Sequence, residues 1–159
     1  MSLFKQNEDR NEIFLYTVFW SVVFLIAAPI GCFVSGEGSD IFYNLFLILV
    51  SPSKLVTDYF SLGCLASTLF NAAICGLACT LILIVSRAHA NSTTFAAYIL
   101  VIAHCFYGLN FINMWPPFFG VLLFCKVMRK PISKHIHIAF FSTALAPFVS
   151  EVLFRYSIG

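Results

Sequence analysis

Six side chains in this 159-residue chain could meet a polar ligand from apolar surroundings: Asp58, Asn71, His104, Asn110, Asn113 and Glu151. Three amides, an imidazole and two carboxylates can coordinate a small solute or ion. They offer no paired general bases for bond breaking. There is no H-E-x-x-H, no G-x-S-x-G and no phosphate-binding glycine loop. The six cysteines (Cys32, Cys64, Cys75, Cys79, Cys105 and Cys125) form no C-x-x-C and have no histidine at ligand spacing. They read as small apolar packing residues, so no metal or other cofactor is expected. No basic-aromatic surface for nucleic acid is present either.

The elements that must position these residues are apolar. The chain is 60% hydrophobic and 10% charged, against about 25% charged for a soluble domain. Uncharged runs cover 13–36, 59–86, 88–125 and 135–150. A hydrocarbon core of roughly 30 Å takes about 20 helical residues. The first three runs exceed that, and the fourth reaches it only through Glu151. The expected fold is an all-α integral membrane protein with about four full spanning helices and two half-length segments. Residues 1–12 form a cytoplasmic leader with mixed charge, and 13–159 form one transmembrane domain. The leader is not a secretory signal, because the apolar run after it is too long. The segments run over 13–35 (with Pro29 kinking the far end), 41–50, 59–86, 91–108, 115–125 and from 136 onward. Those at 41–50 and 115–125 are the half-length pair.

The stretch NFINMWPPFFG, 110–120, interrupts one of the uncharged runs. Pro116 and Pro117 lack N–H groups and disfavour helix in the residue before each. Irregular backbone at membrane depth needs shelter from protein or a water-filled cavity. Two readings stand: a re-entrant hairpin with its tip at NFINMW, or an outer loop between two short spans with Trp115 at the interface. Pro52 marks a similar interruption after segment two. If segment two dips and returns to the same side, and segments four and five do so as a pair, Lys5, Arg10, Arg87, Lys126, Arg129, Lys130 and Lys134 lie inside, against Lys54 and Arg155 outside. The positive-inside rule favours that arrangement.

Gly63, Ser67, Asn71, Cys75 and Cys79 recur every fourth residue, with Ala72, Gly76 and Thr80 in a second row. Small residues on one helix face let neighbouring backbones approach closely. The rows read as a packing seam, or with Asn71 as a contact on a solute path. His104 reads either as a relay or as a neutral imidazole bonded to a helix carbonyl. Glu151 stands four residues before Arg155, the spacing of a helical ion pair. Pro147 precedes it.

SEVLFR, 150–155, resembles the E-E-x-x-x-R motif of membrane-embedded CAAX-type proteases, but Ser150 replaces the first glutamate and the enzymatic reading is set aside. SPSKLVTDYFSLGCLASTLFNAAICGL (51–77), NFINMWPPFFG and ALAPFVSE (144–151) together resemble an uncharacterised family of bacterial multi-pass membrane proteins, a domain of unknown function. That resemblance implies two related copies in tandem, of which this chain carries one. It also implies a bacterial inner membrane and a second copy as partner, in a homodimer or a tandem repeat. Duplicated units with half-length helices suit a transporter or channel-like half for a small polar solute or ion. The alternative is a non-transporting scaffold or regulatory subunit, whose KVMRKPISK patch (126–134) meets anionic lipid or a cytoplasmic partner.

Overall fold

The computed structural model describes residues 2–36, 40–51, 57–88 and 90–155, with side-chain surroundings for 11–36, 40–51, 57–88 and 90–152. Among the described residues eight α-helices follow one another: α1 (Ser2–Ser35), α2 (Ile41–Val50), α3 (Tyr59–Leu62), α4 (Leu65–Val85), α5 (Ser92–His104), α6 (Trp115–Val127), α7 (Ile136–Ser142) and α8 (Ala146–Arg155). Tight 3-10 turns occupy Ile132–Lys134 and Thr143–Leu145. No strand occurs among the described residues. Two stretches, Asn11–Ser35 of α1 and Leu65–Val85, are long and apolar enough to cross a membrane. The polar leader continues into α1 as helix, and α1 runs past Pro29 to Ser35.

α1 and α4 lie antiparallel. Gly31 sits against Leu65 and Leu69 near one end, and Phe14 shares a depression with Leu83 and Ile84 near the other. Between them the rows of small residues expected on α4 divide their contacts: Gly76 meets Ser21 of α1 and Tyr98 of α5, while Asn71 faces the end of α5. Ser67, Asn71, Cys75 and Cys79 are buried, as are Ala72, Gly76 and Thr80. The hydroxyls of Ser21 and Tyr98 stand 2.8 Å apart, and Tyr98 also reaches the Thr17 carbonyl at 3.0 Å. Only a residue without a side chain fits beneath them. A Cβ on Gly76 would lie 2.7 Å from Ser21 Oγ and 2.9 Å from Tyr98 Oη. Thus α1, α4 and α5 meet at one buried polar point.

The single helix expected over 59–86 is two. The chain stops at Gly63 and Cys64 and starts again at Leu65. Ile48 of α2 presses on Gly63, where a Cβ would stand 2.9 Å from Ile48 Cδ1. Cys64 then caps α4: its sulfur accepts from Ser67 N at 3.3 Å, while Ser67 Oγ accepts from Cys64 N at 3.0 Å. Cys64 therefore does more than fill space. The run from 136 is likewise divided, by the turn at Thr143–Leu145. Pro147 has no N–H to return to the Thr143 carbonyl, so the preceding turn tightens. Ser142 and Thr143 place their hydroxyls on the carbonyls of Ala139 and Phe140, each at 2.7 Å.

Beyond the turn at Ser86 and Arg87, α5 runs back along α4, and α6 then returns toward the end where α4 finishes. Phe118 and Leu122 of α6 share a groove with Leu81, Ile82 and Val85. α7 packs against both α5 and α6. Arg87 lines a depression with Asn11 and Phe14. The part of α1 at Asn11 and Phe14, the turn at Ser86 and Arg87 and the basic stretch 126–134 therefore share one end of the bundle.

Gly76→Ala is expected to overpack this joint, whereas nothing lies within 4 Å of a Cβ on Gly120 in α6. Both changes gain the same helix propensity. The Gly76 variant should be less stable than the Gly120 variant by about 1–3 kcal/mol, read from denaturation in detergent micelles.

Candidate functional site

The polar residues converge where α5 and α6 part. Each of these helices has 13 residues, about 20 Å of rise, and the segment between them is buried in part, with Tyr107 and Ile112 more than half exposed. Cys105, Leu109 and Met114 are fully covered, and Asn110 is 2% exposed. The two helices are not one continuous rod.

Three asparagines hold this break together. Asn71, on α4, donates its amide to the carbonyls of Cys105 and Leu109 at 3.3 and 3.0 Å. Those groups lie past the end of α5, where a helix leaves carbonyls without intrahelical donors. Asn110 Oδ1 accepts from the N–H groups of Ile112 and Asn113, both at 2.9 Å. Its Nδ2 donates outward, to the Ile48 carbonyl at 3.0 Å and the Tyr59 hydroxyl at 3.2 Å. Asn113 completes the turn, accepting from Asn110 N and donating to the Gly108 carbonyl, each at 2.8 Å. Tyr59 N donates to the Phe106 carbonyl at 3.3 Å, so the start of α3 is bonded to the break as well.

Asn71 lies six residues into α4 from Leu65, about 9 Å of helix rise. The break is therefore set inward from the end of α4. Pro116 and Pro117 occupy the first turn of α6, where a missing N–H leaves no intrahelical acceptor unpaired. Pro116 is exposed and Pro117 half-buried.

The other candidates have local duties. His104 is half-buried, and its Nδ1 lies 2.8 Å from the Leu100 carbonyl. A carbonyl only accepts, so this nitrogen carries a proton and donates. Asp58 is exposed and caps α3, accepting from Ser61 Oγ at 2.7 Å and Phe60 N at 2.9 Å. The Ser61 hydroxyl, followed by the Phe60 N–H, holds its carboxyl below the usual carboxylate range. A carboxyl lowered in the folded state stabilises above its unfolded pKa of about 4 and loses that contribution on acidification. Glu151 is half-buried on α8, Pro147 is buried near the start of that helix, and the Arg155 side chain lies outside the described residues, as does Pro52. No group of His, Cys, Asp and Glu close enough to hold a metal occurs among the described residues.

Tyr59 and Ile48 escaped the sequence reading. Their parts depend on contacts between residues 62 and 51 positions apart, which no local pattern reveals. Gly108 was legible in principle. It has φ 118, and Leu109 N reaches back to the His104 carbonyl at 3.0 Å. A glycine just past a helical pattern signals this kind of ending.

Every buried side-chain nitrogen and oxygen among the described residues has a hydrogen-bond partner. Chemically, then, the arrangement fixes a sheltered interruption in a helical hairpin. The family described as a protein of unknown function, DUF1576, matches residues 37–159, and the chain belongs to it. No curated protein and no solved structure matches.

Asn110→Leu should orphan the Ile48 carbonyl and the Ile112 and Asn113 N–H groups, at about 1–3 kcal/mol each. Tyr59→Phe, which leaves Asn110 its bond to Ile48, should cost about 1 kcal/mol. Chemical denaturation of the two variants side by side checks the order.

Proposed function

We propose that this member of the DUF1576 family is an integral membrane protein whose α5–α6 hairpin forms half of a passage for a small polar solute or ion. A second copy, in a homodimer or a tandem repeat, supplies the other half. α1 and α4 cross the bilayer, and α2 and α6 are its half-length elements. The basic end carrying Arg87, Lys126, Arg129, Lys130 and Lys134 faces the cytoplasm of a bacterial cell, by the positive-inside rule.

One observation carries this reading: a partly buried, non-helical stretch at 105–114 whose covered residues Cys105, Leu109 and Asn110 are tied by side-chain bonds to α4 and α2. Unbroken spans satisfy their backbone internally and need no such arrangement. Helices that stop inside the membrane are the usual means by which transporters present backbone groups to a solute. Asn71, Asn110 and Asn113 then act as positioning residues that keep the two half-helices apart. His104 and Glu151 are the ionisable groups closest to the role of solute contact.

A second reading has its own support. Because each buried polar side chain is already bonded within the chain, a scaffold or regulatory subunit would need nothing more from these residues. Flux separates the two. Proteoliposomes carrying the chain should pass at least one of H⁺, Na⁺, K⁺ or glycerol above empty vesicles. Asn71→Leu should abolish that flux, and Glu151→Gln should alter it. Absence of flux for all four probes would leave the scaffold reading in place.

Topology is checked separately. Single cysteines at Arg10 and at Lys130, in a Cys32→Ala background, should both resist an impermeant maleimide in intact cells and both react in inverted vesicles. Labelling of the two from opposite faces would refute the arrangement.

A further inference from the structure

We propose that the apolar groove between α4 and α6 seats an acyl chain of an anionic phospholipid, whose headgroup phosphate is held at the basic turn 128–135. This rests on the membrane reading above. The groove encloses about 410 Å³ between Leu81, Ile82 and Val85 on one side and Phe118, Leu122 and Ile136 on the other. Leu81 and Val85 are 59% and 75% exposed, so this trough opens outward.

Charge indicates its occupant. The turn that contributes Ile132 to the groove wall also carries Arg129, Lys130 and Lys134, all exposed. Arg87 directly follows another wall residue, Ser86. No Asp or Glu lies between Asp58 and Glu151, so neither loop brings a countercharge of its own. Glu12 belongs to a different depression, with Asn91 and Ser92. An apolar slot that ends among cations fits a molecule that is greasy along its length and anionic at its tip. A second copy related by a two-fold axis would set this basic end against itself, which disfavours it here.

Backbone geometry adds independent weight. Arg87 and Arg129 hold φ of 48° and 53° just past the ends of α4 and α6, a position where glycine is usual. Ala88 N reaches back to the Leu83 carbonyl at 3.1 Å, and Lys130 N to the Cys125 carbonyl at 2.8 Å. At the buried end of α5 the same position is filled by Gly108. Among the described residues, arginine thus occupies strained backbone at the end of the bundle next to the groove. The carbonyl end of a helix itself favours a cation. That accounts for one charge per helix, not for Lys130 and Lys134 beside them.

The test uses the purified chain in uncharged detergent. It is titrated with phosphatidylglycerol, with phosphatidylcholine of the same acyl chains, and with inorganic phosphate. Bound lipid is read by native mass spectrometry and stability by thermal unfolding. Phosphatidylglycerol should bind with at least about tenfold preference, as a few nearby cations allow, and phosphate alone should do nothing. Arg129→Gly combined with Lys134→Ser should lose the preference without loss of lipid-free stability, because glycine relieves the positive φ. Leu122→Trp, which fills the groove, should lose bound lipid. Equal binding of the two lipids, an equal effect of phosphate, or an unchanged preference in the double variant would overturn the proposal. So would a Leu122→Trp chain that loses a dimer and keeps its lipid. A chain that stays in water without detergent refutes the membrane reading first, before any lipid is added.

Discussion

A peptide group released where a helix ends must find a hydrogen-bond partner, and in an apolar bundle that partner has to come from the protein. This constraint organises the three interruptions seen here. At Gly63 the partners are Cys64, Ser67 and Thr68; at 143–145 they are local hydroxyls; between α5 and α6 they are three asparagines. The first two repairs are short-range. The third reaches across the fold and joins α2, α3, α4, α5 and α6 around the buried Asn110.

Much of the fold was legible because apolar length and charge placement are local properties. The segments at 41–50 and 115–125 were visible from where polar residues stop, and α2 and α6 occupy Ile41–Val50 and Trp115–Val127. The four-residue spacing from Ser67 to Cys79 pointed to a buried face, and those residues are buried. What could not be read was the division of 59–86. Gly63 looked like the first member of the small-residue row, yet it is where Ile48 approaches and the helix ends. Cysteine followed by serine three residues later is also a poor cue for a cap, because sulfur is a weak acceptor.

The candidate site was legible as a set of residue types and not as a set of duties. Asn71, Asn110 and Asn113 were singled out as polar groups in apolar company, and the structure gathers them. Their amides point at backbone carbonyls, however, and carry the shape of the break. His104 is bonded to the carbonyl one turn before it, the plainer of its two readings. Asp58 serves α3. A passage built on this hairpin therefore depends on where the asparagines put the backbone more than on what their side chains could grasp.

The reach of Asn110 has a consequence for biogenesis. Its amide joins the Ile48 carbonyl, 62 residues earlier in the chain. At a synthesis rate of about 5–20 residues per second, α2 is made roughly 3–12 s before the residue that completes it. During that interval the α2 end lacks this donor, and water or another polar group must stand in for it. The bond that closes the end of α2 can form only once the α5–α6 hairpin has been made.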